Sequence, residues 1–265
     1  LTQSAVSQNI KRLEQECGQP LLIRARPVVA TALGEQLLAH FNKVTMLEEG
    51  LRESIEGNQA HQPISIAVNN DTLATWFIQV VSDFSALDDT KLHIKAADQN
   101  QTRVLLQTGQ VVACLSQIGT PVAGGGSVFL GYMNYELVAT PGFIEEYLKG
   151  DLSAESILQS PALIYDEHDE LWPRYQNECL ETSVNLNNSH WYPSSHGFVE
   201  LVMGGTVCAL VPSVQIKEKI KSKKLVSLLP NKRLALPLYW HWYKLNSPVL
   251  DRLTKVIITV TRDVL

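Results

Sequence analysis

Between residues 31 and 58 the apolar side chains fall into one narrow line. Leu33, Leu37, Phe41, Val44, Leu47, Leu51 and Ile55 follow one another at intervals of three or four residues, which at 3.6 residues per turn aligns them along about seven turns of helix. Glu35, Lys43, Glu48, Arg52 and Glu56 stand elsewhere around the same helix. A helix this long with a single stripe needs a partner to cover that stripe, or lies on the surface of its own domain. The pattern also partitions the chain. A short unit precedes the helix, and Gly57-Asn58-Gln59-Ala60-His61-Gln62-Pro63 breaks the periodicity and opens a larger unit of about 200 residues.

The larger unit alternates strand and helix. Ile64, Ile66 and Val68 alternate as a strand, and Leu73 to Leu87 reads as a helix with Trp76, Phe77, Val80, Val81 and Phe84 inward. Leu92, Ile94 and Ala96 alternate again, Thr102 to Gln107 is a short helix, and Val111 to Leu115 is a continuous apolar strand. This rhythm predicts a parallel sheet covered on both faces. Gly124-Gly125-Gly126 reads as a flexible turn, with no phosphate-loop pattern around it. A second series follows, with strands at 135–140, 162–165, 190–192 and 207–211 and helices at 143–148, 153–158, 170–180, 197–203 and 213–219. Strands near 225–229 and 236–242 then lead to a last helix, with Ser247 as its cap and Pro248 in its first turn. The fold class is therefore α/β in two similar lobes, and the 45% apolar content supplies a core for them.

The short unit before the long helix has a different character. Ala5, Val6, Ile10, Leu13 and Cys17 recur at helical spacing, leaving Gln3, Ser4, Ser7, Gln8, Lys11 and Arg12 to project. Thr2 is placed to cap the start, short polar side chains in the first turn let the backbone approach phosphate, and Lys11 and Arg12 can neutralise it. Gly18 ends the helix, and 20–27 reads as an extended wing in which Arg24 and Arg26 alternate with apolar neighbours. Net charge is −5 and the sequence pI about 5.8, so any DNA affinity belongs to this local patch and not to a global basic field.

The run Leu1 to Arg24 resembles the recognition helix and wing of the LysR-type transcriptional regulators, whose pattern reads Q-S/P-A-V-S-x-x-I-x-x-L-E-x-x-x-G-x-x-L-F-x-R. Gln3, Ser4, Ala5, Val6, Ser7, Ile10, Leu13, Glu14, Gly18, Leu21 and Arg24 match, and Leu22 replaces the usual Phe. Thr31 and Gly34 match the family's T-x-x-G start of a linker helix, and residues 204–212 resemble its G-x-G-I/V-x-x-L/V-P segment. Residues 68–76, 109–112 and 238–241 look like the lysine- and arginine-responsive branch. The resemblance implies a partial winged helix-turn-helix over 1–30, a linker and dimerisation helix over 31–58, and a two-lobed periplasmic-binding-protein-like effector domain. Lobe 1 is expected at 63–138 plus 239–265 and lobe 2 at 139–238. It implies contacts to operator double-stranded DNA from Thr2, Gln3, Ser4, Ser7, Gln8, Lys11, Arg12, Arg24 and Arg26, and a homodimer that can pair into a tetramer.

In such folds a ligand binds between the lobes, at strand C-termini and helix N-termini. Asn69 to Thr72, Ser116 with Gln117, Asp166 to Asp169, and Ser194 with Ser195 occupy such loops. For a basic amino acid, lysine or arginine, Thr72, Ser116 and Ser195 suit the α-carboxylate, and Asp71, Asp166 and Asp169 suit the two cationic ends. Asp71, Thr72 and the 166–169 loop have a second reading as helix caps.

Other classes of function find little support. His93, His168, His190, His196 and His241 are scattered, and no GxSxG, HExxH or paired-carboxylate pattern accompanies them, so no enzyme is expected. Cys17, Cys114, Cys179 and Cys208 form no ligand cluster and read as buried thiols of a reducing compartment. No apolar run approaches the roughly 20 residues of a membrane span, and neither metal nor cofactor is implied. The cytoplasm is the expected location. A solute-binding protein of a transport system shares the two-lobed fold but has no use for residues 1–58. The chain starts at Leu1, and the two helices that buttress a recognition helix are expected to precede it.

Overall fold

The computed structural model describes residues 2–23, 25, 28–56, 63–182, 186, 188–245 and 247–265, with the backbone alone for 43, 46, 47, 49–56, 99 and 100. Arg24, Arg26 and the break at 57–62 lie outside the described residues, as do the side chains of Leu47, Leu51 and Ile55.

Helix α1 (Gln3–Cys17) begins where the Thr2 hydroxyl accepts the Ala5 amide at 3.4 Å and ends at Gly18, whose φ of +70° closes the last turn. Strands β1 (Leu22–Ile23) and β2 (Val29–Ala30) pair antiparallel as a wing. Glu14 ties helix to wing by accepting the Leu21 and Leu22 amides at 2.9 and 3.4 Å. The long helix α2 (Ala32–Glu56) follows. Thr31 starts it, accepting the Gly34 amide at 3.1 Å while donating to Pro20 O at 2.9 Å. A Cβ on Gly34 would lie 2.1 Å from Leu21 O, so the T-x-x-G start is a cap followed by a position with room for hydrogen only.

Lobe 1 opens with β3 (Ile64–Val68), the single turn α3 (Asn70–Leu73), α4 (Phe77–Leu87), β4 (Leu92–Ala96), α5 (Gln99–Gln107) and β5 (Ala113–Ser116). The helix expected over 73–87 is interrupted at 74–76. Adjacent residues on one helix point about 100° apart, and the interruption lets both Trp76 and Phe77 enter the core. The chain then runs through β6 (Gly125–Ala139), the turn α6 (Pro141–Phe143), a π-helical turn at Ile144–Leu148, α7 (Ala154–Gln159), β7 (Ala162–Ile164), α8 (Leu171–Tyr175) and a second π-helical turn at Gln176–Leu180. Strand β8 (Ser189–Trp191), α9 (Ser195–Met203), β9 (Ala209–Pro212), α10 (Ser213–Lys221) and β10 (Val226–Ser227) complete lobe 2. Strand β11 (Leu234–Tyr243) returns to lobe 1, and α11 (Pro248–Val264) ends the chain, capped by Ser247, which accepts the Leu250 amide at 3.3 Å.

Among the described residues the main sheet runs β10-β6-β11-β5-β3-β4, and β9 pairs antiparallel with the Tyr135–Val138 stretch of β6. It is mixed, not all parallel. Strand β3 pairs parallel with β4 and β5, whereas β6 and β11 run antiparallel to each other and β11 antiparallel to β5. These two long strands join the lobes. Their register shifts between Leu238 and Tyr239, opposite Gly131 with its φ of +141°. Gly125 and Gly126 are the start of β6 and not a flexible turn: they pair with Tyr243 and Trp242, and a Cβ on Gly126 would meet the Trp242 ring at 2.8 Å. Glycine is there because an aromatic ring lies flat on the strand.

One core runs through both lobes, with Trp76, Phe77 and Phe84 at one end and Trp172, Tyr175 and Leu210 at the other, and Trp240 and Tyr135 from the crossing strands between. Separate clusters cover the opposite faces, around Leu106 and Tyr243 in lobe 1 and around Phe198 and Val202 in lobe 2. Helix α2 docks on lobe 1 where Ala39 meets the turn after α5, and Gly109 there has φ of +67° and no room for a Cβ beside Ala39 O. Cys114, Cys179 and Cys208 are buried free thiols, while Cys17 is half-buried, because none of the described residues of α1 is fully covered.

Candidate functional site: an acidic cleft between the lobes

The C-terminal ends of β3, β4, β5, β7 and β9 and the first turns of α8 and α9 surround a cleft that opens to solvent. Tyr165, Phe198, Val211 and Pro212 give it apolar walls. Its polar lining is dominated by carboxylates: Asp71 and Asp98 from lobe 1, and Asp166, Asp169 and Glu170 from lobe 2. Arg174 is the only Lys or Arg among the lining residues.

Each carboxylate has a different degree of freedom. Burial pushes the Asp71 carboxyl above the usual range and Asp98 adds to this, while the hydroxyls of Ser195 and Tyr135 oppose it. Tyr135 donates to Asp71 Oδ2 at 2.6 Å, from a strand that joins the lobes. Asp169 is also pushed up, by burial and by the neighbouring charges of Asp71 and Asp166, although it accepts the Leu171 and Tyr165 amides at 2.8 and 3.0 Å. Both of its oxygens are thus engaged in shaping the loop before α8. Asp166 spends one oxygen on the His168 amide at 2.8 Å. Burial, with Asp71, Asp166 and Asp98 close by, also raises the Tyr165 phenol, which keeps it a neutral donor.

The structure brings Asn69, Asp71, Asp166, Asp169 and Ser195 to this cleft. Thr72 and Ser116 instead line a smaller adjoining cavity, together with Asn69. Thr72 is fully buried, and the Ser116 hydroxyl accepts the Ile118 amide at 3.2 Å. Ser194 caps α9 by accepting the Gly197 amide at 3.2 Å. Beside it His196 is exposed and Ser195 is buried, so the Ser-Ser-His run forms no nucleophile-base pair. Asn69 Oδ1 is buried with no hydrogen-bond partner among the described residues, a polar group facing the junction of the two cavities.

Three charged lining residues, Asp98, Glu170 and Arg174, are not among the sequence candidates; Glu170 directly follows the 166–169 loop. Asp98 follows β4, the same strand-end position that selected Asn69 to Thr72, so that signal was present. Arg174 sits inside a helix, where no pattern tells which side a lone cation faces. Here its Nη1 crosses the cleft and donates to Gln117 Oε1 at 2.7 Å. Among the described residues no group of three or more His, Cys, Asp or Glu is placed to hold a metal ion.

On α1, Thr2, Gln3, Ser4, Ser7, Gln8, Lys11 and Arg12 are all exposed. Val6, expected on the packing face, is 42% exposed and joins this outer surface. Arg12 pairs with Glu16 at 3.1 Å, an exposed i,i+4 contact easily exchanged for phosphate.

Residues 1–35 match the bacterial regulatory helix-turn-helix proteins of the lysR family, and residues 57–261 match the LysR substrate binding domain. The chain belongs to the LysR family. This LysR-type regulator is 36% identical over 264 residues to the HTH-type transcriptional regulator ArgP of Pseudomonas fluorescens, covering 97% of the chain and 87% of that relative. ArgP of Photobacterium profundum is 33% identical over 267 residues, covering 100% and 90%. The crystal structure of ArgP from Mycobacterium tuberculosis superposes with a TM-score of 0.87 at 30% identity, over 98% of this chain and 88% of that one. Full-length LysG from Corynebacterium glutamicum with bound effector Arg gives 0.79 at 28% identity, over 99% and 90%. The LysR-type chain is therefore a transcriptional regulator with an effector domain, and neither an enzyme nor the binding component of a transporter. No helix among its described residues is long and apolar enough to cross a membrane.

Proposed function

We propose that this regulator senses a basic amino acid, L-arginine or L-lysine, in the cleft between its lobes. The carrying observation is the charge of the lining: five carboxylates and one guanidinium suit a ligand with two cationic groups and one anionic group. Asp71, Asp98 and Asp166 face the cationic ends, and Asp169 and Ser195 hold the walls that bring them together. Asn69, Thr72, Ser116 and Ser194 support these loops from beneath. The arginine named with the Corynebacterium glutamicum relative agrees with this reading.

The DNA-reading surface in this proposal is the exposed face of α1 from Thr2 to Arg12, with Arg24 and Arg26 of the wing on phosphate. Operator DNA is the macromolecular partner, the cytoplasm the location. Helix α2 pairs with its counterpart in a second copy, since Leu38 and Phe41 are each 53% exposed on it. Ligand that binds one lobe arrangement better than another shifts the population toward it, and α2, docked on lobe 1 at Gly109, passes the change to the paired α1 helices.

Isothermal titration calorimetry with L-arginine, L-lysine and L-leucine tests the sensor. Binding of the two basic amino acids alone is the expected result, weakened in Asp71→Asn and Asp166→Asn variants that remain folded. Absence of binding by all three ligands, or unchanged affinity in both variants, overturns the site.

A further inference from the structure

Arg174 stands out in the cleft for its charge and for where it reaches. It projects from α8 of lobe 2, its guanidinium is partly exposed, and Nη1 donates across the opening to Gln117 Oε1 of lobe 1 at 2.7 Å. Nε contacts Glu178 one turn along at 3.4 Å, which steadies the side chain on its own helix. Gln117 is a neutral acceptor, and a guanidinium gives up a neutral acceptor for a carboxylate readily, because the charge-assisted, two-point pair is about twice as strong. The α-carboxylate of an amino acid entering this cleft meets repulsion from Asp71, Asp98, Asp166, Asp169 and Glu170, and attraction from one side chain of full positive charge.

We infer that Arg174 is the specificity-determining residue that recognises the effector's α-carboxylate, so that the regulator distinguishes a basic amino acid from the diamine or guanidino-amine left by its decarboxylation. The inference rests on the basic-amino-acid reading of the cleft. Without Arg174 the acidic lining would accept agmatine, which is arginine lacking its carboxylate, at least as well as arginine. With Arg174 in place, the guanidinium is released from Gln117 as it engages the ligand, and an amine without a carboxylate leaves that link unexchanged.

The test is calorimetric titration of the full chain and its Arg174→Gln and Arg174→Lys variants with L-arginine and agmatine. The wild type is expected to prefer arginine. Arg174→Gln should lose about 10- to 100-fold in arginine affinity, the range for a hydrogen-bonded charged pair, while agmatine binds as well or better, so that the preference collapses. Retained agmatine binding shows that the cleft is intact, and Arg174→Lys should restore part of the preference. Two results overturn the inference while leaving the basic-amino-acid sensor standing. One is a wild type that binds both ligands equally; the other is an Arg174→Gln variant that keeps its preference, which would move carboxylate capture to other groups of the cleft. A wild type that binds neither arginine nor lysine removes the sensor reading and this inference together.

Discussion

Asp71, proposed to face a cationic end of the effector, is held in the cleft at a cost to stability. Burial raises its carboxyl, so between the ordinary aspartate value and the raised one the folded chain binds more protons than the unfolded chain. Stability from this group therefore falls as pH rises through that window, and above the ordinary aspartate value the buried carboxyl is a net burden on the fold. Asp71→Asn is expected to raise the thermal midpoint at pH 7, with a smaller gain at pH 4, while weakening arginine binding about tenfold or more; differential scanning calorimetry and titration on the same sample separate the two effects. Binding of a cation also declines on acidification earlier than an ordinary aspartate would dictate, because Asp71 and Asp169 both take up protons above their usual range. Affinity that stays flat between pH 7 and pH 4 would contradict this. Asp71 was legible in the sequence as a loop acid after a strand. Its hydrogen bond to Tyr135, 64 positions away, was not.

Among the elements, the junction of wing and linker helix is the most sharply specified. In an exposed helix Gly→Ala stabilises by about 1 kcal/mol, yet at Gly34 the added methyl would overlap Leu21 O. The sign reverses there. Gly34→Ala should destabilise the N-terminal unit by about 1–3 kcal/mol, the scale of overpacking, seen as faster proteolysis near residues 20–35 with the effector domain unchanged. Equal proteolysis rates in variant and wild type would show that the junction opens freely. The three consecutive glycines teach the complementary lesson. As a string they signal a turn, and Gly124, with φ of +73°, is one; Gly125 and Gly126 are strand residues paired with Tyr243 and Trp242, and the Trp242 ring over Gly126 comes from more than 100 positions along the chain. Local propensity carries no information about such a neighbour.

For the whole molecule, the proposed regulation runs through α1 and α2, outside the effector domain. Phe41→Glu places a charge on the exposed line of α2, where coverage by a second copy would bury an aromatic ring worth about 1.5–3 kcal/mol. The dimer is expected to weaken about tenfold or more in sedimentation equilibrium, with arginine binding retained; an unchanged dimer would put the interface elsewhere. Lys11→Ala is expected to weaken operator and nonspecific DNA alike and to lower the slope of log affinity against log salt by about 1, measured by fluorescence anisotropy. A change confined to one operator sequence would instead make Lys11 a base-reading residue.

The sequence by itself determined most of the elements and the family: periodicity follows from which faces must be buried, and the motif of residues 1–24 is contained in one local stretch that can be read without knowing any distant part of this chain. It also selected loops at strand ends, since those positions are properties of each strand and its successor. Only the tertiary structure decided that the sheet is mixed, because strand direction depends on how β6 and β11 cross between lobes. Only it separated Asp71 and Asp166, which line the main cleft, from Thr72 and Ser116, which line the smaller cavity, and only it turned Arg174 from one charge on a helix into a bridge to Gln117. The reason is range: hydrophobic periodicity is set within a few residues of chain, whereas a cleft is made of side chains from both lobes, and no local interaction records which of them will meet.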